Sequence, residues 1–128
     1  MRLLLDTHTL LWWSANDRRL SAAARESIGL GSNEVLVSAA SAWEIATKAR
    51  NGKLKSVERL LSGFEALMAA DRFTLLAMTH RHALLAGGFA HEHRDPFDRM
   101  LAAQALIEDA ILVTDDPALR AFGARSLW

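Results

Sequence analysis

Four short, largely apolar runs and one short terminal strand, none of them alternating, recur along the chain between stretches of helical spacing, and this pattern limits the fold more than any other feature. They are "RLLL" (2–5), "EVLVS" (34–38), "RFTLLAM" (72–78), "ILVT" (111–114) and the terminal "ARSLW" (124–128). A strand with one wetted face alternates apolar and polar residues, whereas a run that is apolar throughout is buried on both faces. The spacing predicts helices from Thr7 to Trp13, from about Leu20 to Ile28 with Ser21 as cap and Gly29 or Gly31 as stop, and from Ala39 to Arg50, ended by Asn51-Gly52. "SVERLLSGFEALMAA" reads as one amphipathic helix that tolerates Gly63, "THRHALLAGGF" as a short helix closed by Gly87-Gly88, and "FDRMLAAQALIEDA" as a buried one. Strands separated by helices imply an α/β fold, a three-layer α/β/α sandwich around a mostly parallel central sheet.

At 128 residues the chain fits a single domain, 1–128, whose core needs no staple. It has no cysteine, which removes disulfides and thiolate zinc sites. Fifteen basic and fifteen acidic residues cancel, so any nucleic-acid surface must be a local patch. The apolar start is interrupted by Asp6 and His8, too short and too polar for a membrane span or a signal-peptide core, and a soluble cytoplasmic protein is expected.

In parallel sheets the working groups gather beyond the carboxyl ends of the strands. Asp6 follows the first strand directly, where it either caps the next helix or is the first of several acids around a cation. Glu44 lies in the helix that starts after Ser38; it either closes a capping box from Ser41, pairs with Lys48, or reaches back over the strand ends. In "HRDPFDRMLAAQA", Asp95 and Pro96 read as N-cap and first helical residue, which puts Asp98 in the first turn of a helix apolar enough to be buried. "ILVTDDPAL" repeats the arrangement of the N-terminus with Thr114, Asp115 and Asp116. Four elements thus deliver acids to one sheet edge. A helix N-terminus favours a carboxylate by about 0.3–1 kcal/mol, but clustered like charges cost more unless a cation or a proton intervenes. Oxygen donors without cysteine point to a hard ion, Mg2+ or Mn2+.

"LLLDTHTLLWW", "VLVSAASAWEIATKARNGKL", "HRDPFDRMLAAQA" and "ILVTDDPAL", in this order and spacing, resemble the PIN domain family, and within it the VapC-like toxins. The resemblance covers essentially the whole chain. It aligns Asp6, Glu44, Asp98 and Asp116 with the family's four acids and Thr114 with its hydroxyl residue. Asp95 is an extra acid of the "RDPFDR" subgroup, and Asp115 takes the variable slot before Asp116. The resemblance implies a Mg2+-dependent ribonuclease, toxic through RNA cleavage, silenced by a cognate antitoxin and commonly a homodimer.

For that chemistry Asp6 and Asp98 are expected as direct metal ligands, with Glu44 and Asp116 binding through water, completing a second metal position or orienting the attacking water. Thr114 is expected to donate a hydrogen bond either to a group behind the metal ligands or to phosphate. Lys48, Arg50, Lys53 and Lys55 cluster on one helix end, and Arg94 and Arg99 flank Asp95 and Asp98, with Arg99 the best placed to meet phosphate. His8, His91 and His93 form no pair around one phosphate by spacing, and His80 and His82 read as helix-surface groups. Trp12, Trp13 and Trp43 read as core or dimer packing rather than base platforms. Two other classes remain open: a non-catalytic RNA-binding or protein-interaction module on the same fold, and a DNA-directed metal nuclease. A phosphatase of the haloacid dehalogenase type needs an aspartate two residues after Asp6, where His8 stands.

Overall fold

The computed structural model describes all 128 residues. Its elements run β1 (Arg2–Leu5), α1 (Thr7–Ser14), α2 (Ala22–Gly29), β2 (Glu34–Ser38), α3 (Ala39–Arg50), α4 (Glu58–Ser62), α5 (Phe64–Ala70), β3 (Thr74–Leu76), α6 (His80–Gly88), α7 (Pro96–Ile107), β4 (Ile111–Val113), α8 (Pro117–Arg120) and β5 (Ser126–Leu127). The strands form one five-stranded sheet in the order β3-β2-β1-β4-β5. Every neighbouring pair is parallel, with Leu4 of β1 level with Leu36 on one side and Leu112 on the other.

The unbroken apolar runs supply both faces. Leu3, Leu5, Val35, Val37 and Val113 join Leu10, Ile28, Ile45, Leu60 and Met68 in a core under α1 to α5. Their neighbours Leu4, Leu36 and Leu112 pack on the other face with Leu101, Ala102 and Ala105 of α7 and Leu119 of α8. Small residues on α7 let its backbone approach the sheet closely. The central strands, buried along most of their length, and the helices on both faces make the expected three-layer sandwich.

Connections leave β1 toward β2 and reach the other half of the sheet through β4, so the strand order reverses between β1 and β4. A crevice opens beyond the carboxyl ends at such a point. Asp6 and Thr114, the residues that follow these two strands, stand at it, and the Asp6 N–H donates to the Val113 carbonyl at 3.2 Å.

Three local expectations change. The helix expected across residues 56–70 is broken at Gly63, whose φ of −115° and ψ of 22° cap α4 and precede α5. Gly87 and Gly88 lie in the last turn of α6, and the chain leaves the helix at Phe89. His82 is buried, not on the helix surface: its Nδ1 accepts the Thr79 N–H at 3.0 Å and its Nε2 meets Glu108 Oε2 at 2.9 Å. No helix is long and apolar enough to cross a membrane.

Candidate active site

Asp6 is 4% exposed although it carries a carboxylate. It occupies the N-cap position of α1, but its side chain makes no cap hydrogen bond. Its Oδ2 instead accepts the Thr114 hydroxyl at 2.8 Å. Asp6 therefore stands at the cap position without its carboxylate capping the helix. Around it, Thr7 and Ser41 share a hydrogen bond of 2.9 Å between α1 and α3, and the Thr9 hydroxyl donates to the Val113 carbonyl at 2.7 Å. These buried hydroxyls fix α1 and α3 against the ends of β1 and β4.

Ser38 ends β2 and caps α3 by accepting the Ala40 N–H, so the helix starts at Ala39 and Glu44 falls in its second turn. Glu44 is as buried as Asp6. It takes part in no capping box from Ser41 and forms an ion pair with Lys48 one turn on. Burial opposes the Lys48 charge, but the hydrogen bond and charge of Glu44, aided by Asp95 and Asp98, hold its pKa above the ordinary lysine value.

Asp95 caps α7, accepting the N–H groups of Phe97 at 2.9 Å and Asp98 at 3.2 Å through one oxygen. Pro96, which has no N–H to satisfy, takes the first helical position. Asp98 is thereby freed from capping, and its Oδ2 accepts from His93 Nε2 at 2.8 Å. At the other end Asp116 caps α8 by accepting the Ala118 N–H at 2.9 Å, while its own N–H donates to Thr114 Oγ1 at 3.0 Å. Asp115 is exposed. The Thr114 hydroxyl thus links Asp116, and not Asp115, to Asp6.

The electrostatics tie three of the acids together. Burial raises the Asp6 pKa to about 6; the Thr114 hydrogen bond and His8 oppose this, while the charges of Asp98 and Glu44 add to it. Burial likewise raises Asp98, with Asp95 and Glu44 adding to the shift and His93 opposing it. These carboxylates feel one another in a poorly solvated crevice, the condition under which a cation is most stabilising. As the side chains stand, no three His, Cys, Asp or Glu residues are gathered as a preformed metal cage. Each is turned to a protein partner: Asp6 to Thr114, Glu44 to Lys48, Asp98 to His93, Asp116 to the α8 N-terminus. The donor set nevertheless suits a hard cation, because Asp6 and Asp98 each commit one oxygen and keep the other without a protein hydrogen bond.

A cavity of about 600 Å³ lies between α1 and the segment 54–60, lined by His8, Trp12, Asp17, Arg19, Lys55 and Asp71 among others. It touches none of the four acids, and carboxylate chemistry rather than cavity size locates the site.

Arg99, expected to meet phosphate, turns its guanidinium to backbone: its nitrogens donate to the carbonyls of Ala86, His91, His93, Phe89 and, more distantly, Gly87. Trp43, expected in core or dimer packing, lies outside the core, 56% exposed with its ring edge-on to Phe97 at 4.9 Å between centroids. His93, set aside on spacing, belongs to the site through Asp98. Its only sequence signal is a histidine five residues before a first-turn acid, which does not reveal a contact.

The family model described as PIN domain matches residues 3–124. The chain belongs to the PIN domain family. Among relatives of this PIN chain is a protein named Ribonuclease VapC22 from Mycobacterium tuberculosis, 34% identical over 119 residues, which cover 92% of this chain and 89% of that protein. Two solved structures share the PIN fold with a TM-score of 0.72 each. One is VapBC2 from Rickettsia felis bound to a DNA fragment from their promoter, at 16% identity and covering 99% of this chain and 98% of that one. The other is VapBC-1 from nontypeable Haemophilus influenzae, at 20% identity and covering 99% and 97%.

Proposed function

We propose that this PIN chain is a Mg2+-dependent endoribonuclease acting in the cytoplasm as the toxin of a toxin–antitoxin pair. The observation that carries the reading is the burial of Asp6 and Asp98 in the crevice at the β1/β4 reversal, where the charges of Asp98 and Glu44 act on Asp6 and that of Glu44 acts on Asp98. The relative named Ribonuclease VapC22 supports the nuclease activity, and the likeness to VapBC structures supports an antitoxin partner.

Asp6 and Asp98 would hold the ion directly, with Glu44 and Asp116 completing its surroundings. Bound there, Mg2+ (or Mn2+) supplies counter-charge to the scissile phosphate and acidity to the attacking water. The chain's own groups do the rest. Thr114 holds one oxygen of Asp6 and leaves the other without a protein partner. Lys48 offsets Glu44 and keeps the local charge low enough for a polyanion to approach. Asp116, placed by the Thr114 hydroxyl, is the group available to orient a water or take its proton.

Purified protein free of antitoxin should cleave structured RNA with Mg2+ or Mn2+, stop on chelation and recover when the ion returns. Asp6→Asn and Asp98→Asn should fold and lose cleavage by orders of magnitude. Metal-dependent cleavage retained in both folded variants would overturn the mechanism, and cleavage of DNA in preference to a broad panel of RNAs would overturn the substrate. The protein is also expected to be a homodimer, and a monomer at micromolar concentration in sedimentation would contradict that. Co-purification with the product of a short neighbouring gene is the expected sign of the antitoxin.

A further inference from the structure

Arg99 spends its whole donor set on one stretch of backbone. An arginine side chain has five N–H groups. Here Nε donates to the Ala86 carbonyl at 2.8 Å, one terminal nitrogen to His91 at 2.9 Å and His93 at 2.8 Å, and the other to Phe89 at 2.7 Å and Gly87 at 3.4 Å. The guanidinium also lies over the Phe89 ring, 5.8 Å from its centroid. One side chain from the first turn of α7 therefore gathers the carbonyls of the α6 end and the loop that follows.

The loop so gathered ends at His93. The His93 N–H donates to His91 Nδ1 at 3.1 Å, and both imidazoles pack on Phe122, with centroids 4.5 Å (His91) and 5.9 Å (His93) from its ring. Backbone and ring are thus both held, and Nε2 of His93 meets Asp98 Oδ2 at 2.8 Å. A carboxylate with one oxygen tied in this way presents the other in a single direction.

We propose that Arg99 and His93 are positioning residues for Asp98: Arg99 shapes the 86–93 loop, the loop places His93, and His93 leaves Asp98 Oδ1 as the oxygen offered to the cation. This rests on the metal reading above and assigns Arg99 no contact with RNA. Partners that hold a ligating carboxylate typically change metal affinity by about 10–100-fold when lost. Lysine cannot replace Arg99, because a single ammonium has three donors and no planar fork to span the carbonyls.

The test is Mn2+ affinity of the antitoxin-free protein without RNA, followed by electron paramagnetic resonance, with thermal melts to confirm folding. His93→Phe keeps a ring against Phe122 but has no donor and is expected to weaken Mn2+ about 10–100-fold. His93→Gln, whose amide N–H has a similar reach, should recover most of that loss. Arg99→Lys should weaken Mn2+ as His93→Phe does, and the double variant should bind no worse than His93→Phe alone, since both act through one hydrogen bond. Equal loss in His93→Phe and His93→Gln, wild-type affinity in both, or additive losses in the double variant would each overturn the proposal while leaving the metal reading intact. Absence of Mn2+ binding by the wild-type protein overturns both. If Arg99→Lys fails to fold, the two His93 variants still decide the role of the hydrogen bond.

Discussion

The Thr114 hydroxyl donates to Asp6 Oδ2 at 2.8 Å and accepts the Asp116 N–H at 3.0 Å, so one buried oxygen joins the acid that follows β1 to the acid that opens α8. Among the influences on Asp6 this hydrogen bond is the leading one that favours the charged form. Thr114→Val keeps the shape and removes the donor. Carboxyl NMR titration of the metal-free protein should find Asp6 titrating near 6 in the wild type and about one unit higher in the variant, the equivalent of a hydrogen bond to a charged group. An unchanged Asp6 titration would mean that the hydroxyl does not stabilise the carboxylate.

Asp6 also makes the metal-free protein sensitive to pH. Its pKa is about 6 when folded against an ordinary 3.8, so between these values the folded chain binds more protons than the unfolded one. The associated stability is fully present below pH 3.8 and is lost as pH rises through about 6, a change on the order of 3 kcal/mol. Asp6→Asn stays neutral and still accepts from Thr114. With chelator present, denaturant unfolding should find it more stable than wild type at pH 7.5 and no more stable at pH 4, even though its activity is lost. A variant less stable than wild type at pH 7.5 would contradict the burial argument.

The two aspartates after β4 separate by role. Asparagine is as good a cap as aspartate, so Asp116→Asn should keep α8 and change stability by less than about 1 kcal/mol. Its cleavage should nonetheless fall sharply. Asp115→Asn, at an exposed position, should leave cleavage within a few-fold of wild type. Parallel kinetics on the two variants decide the register; equal activities would leave Asp116 a cap and nothing more.

Asp95 is the N-cap of α7. It accepts two N–H groups at the start of α7, and Asp95→Ala should cost about 0.5–2 kcal/mol of stability. Asp95→Asn should recover that stability and keep cleavage within a few-fold, because the charge is not what the cap requires. A large loss of cleavage in a stable Asp95→Asn protein would move Asp95 into the metal site.

Much of this molecule is written locally. A run such as "RLLL" or "EVLV" can be satisfied only by burial on both faces, so the parallel sheet and its covering helices are legible without coordinates. Ser38, Asp95-Pro96 and Asp116-Pro117 announce helix starts because capping is a property of a few consecutive residues. The same rules point Asp6, Glu44, Asp98 and Asp116 toward one edge, since the edge at which a parallel strand ends is common to the whole sheet.

What no local rule supplies is the partner of a side chain across the fold. Arg99 as a loop organiser depends on carbonyls 6–13 residues away, and buried His82 on Glu108, 26 residues away. A charged or aromatic residue on a helix has the same sequence signature whether it meets water, a carbonyl or another ring, which is why Arg99 read as a phosphate contact and Trp43 equally as core or dimer packing. The Asp6 pKa is the furthest from sequence. It is raised because several elements together exclude water while Asp98 and Glu44 add their fields from other segments, and both desolvation and Coulomb energy are set by distances in space rather than along the chain.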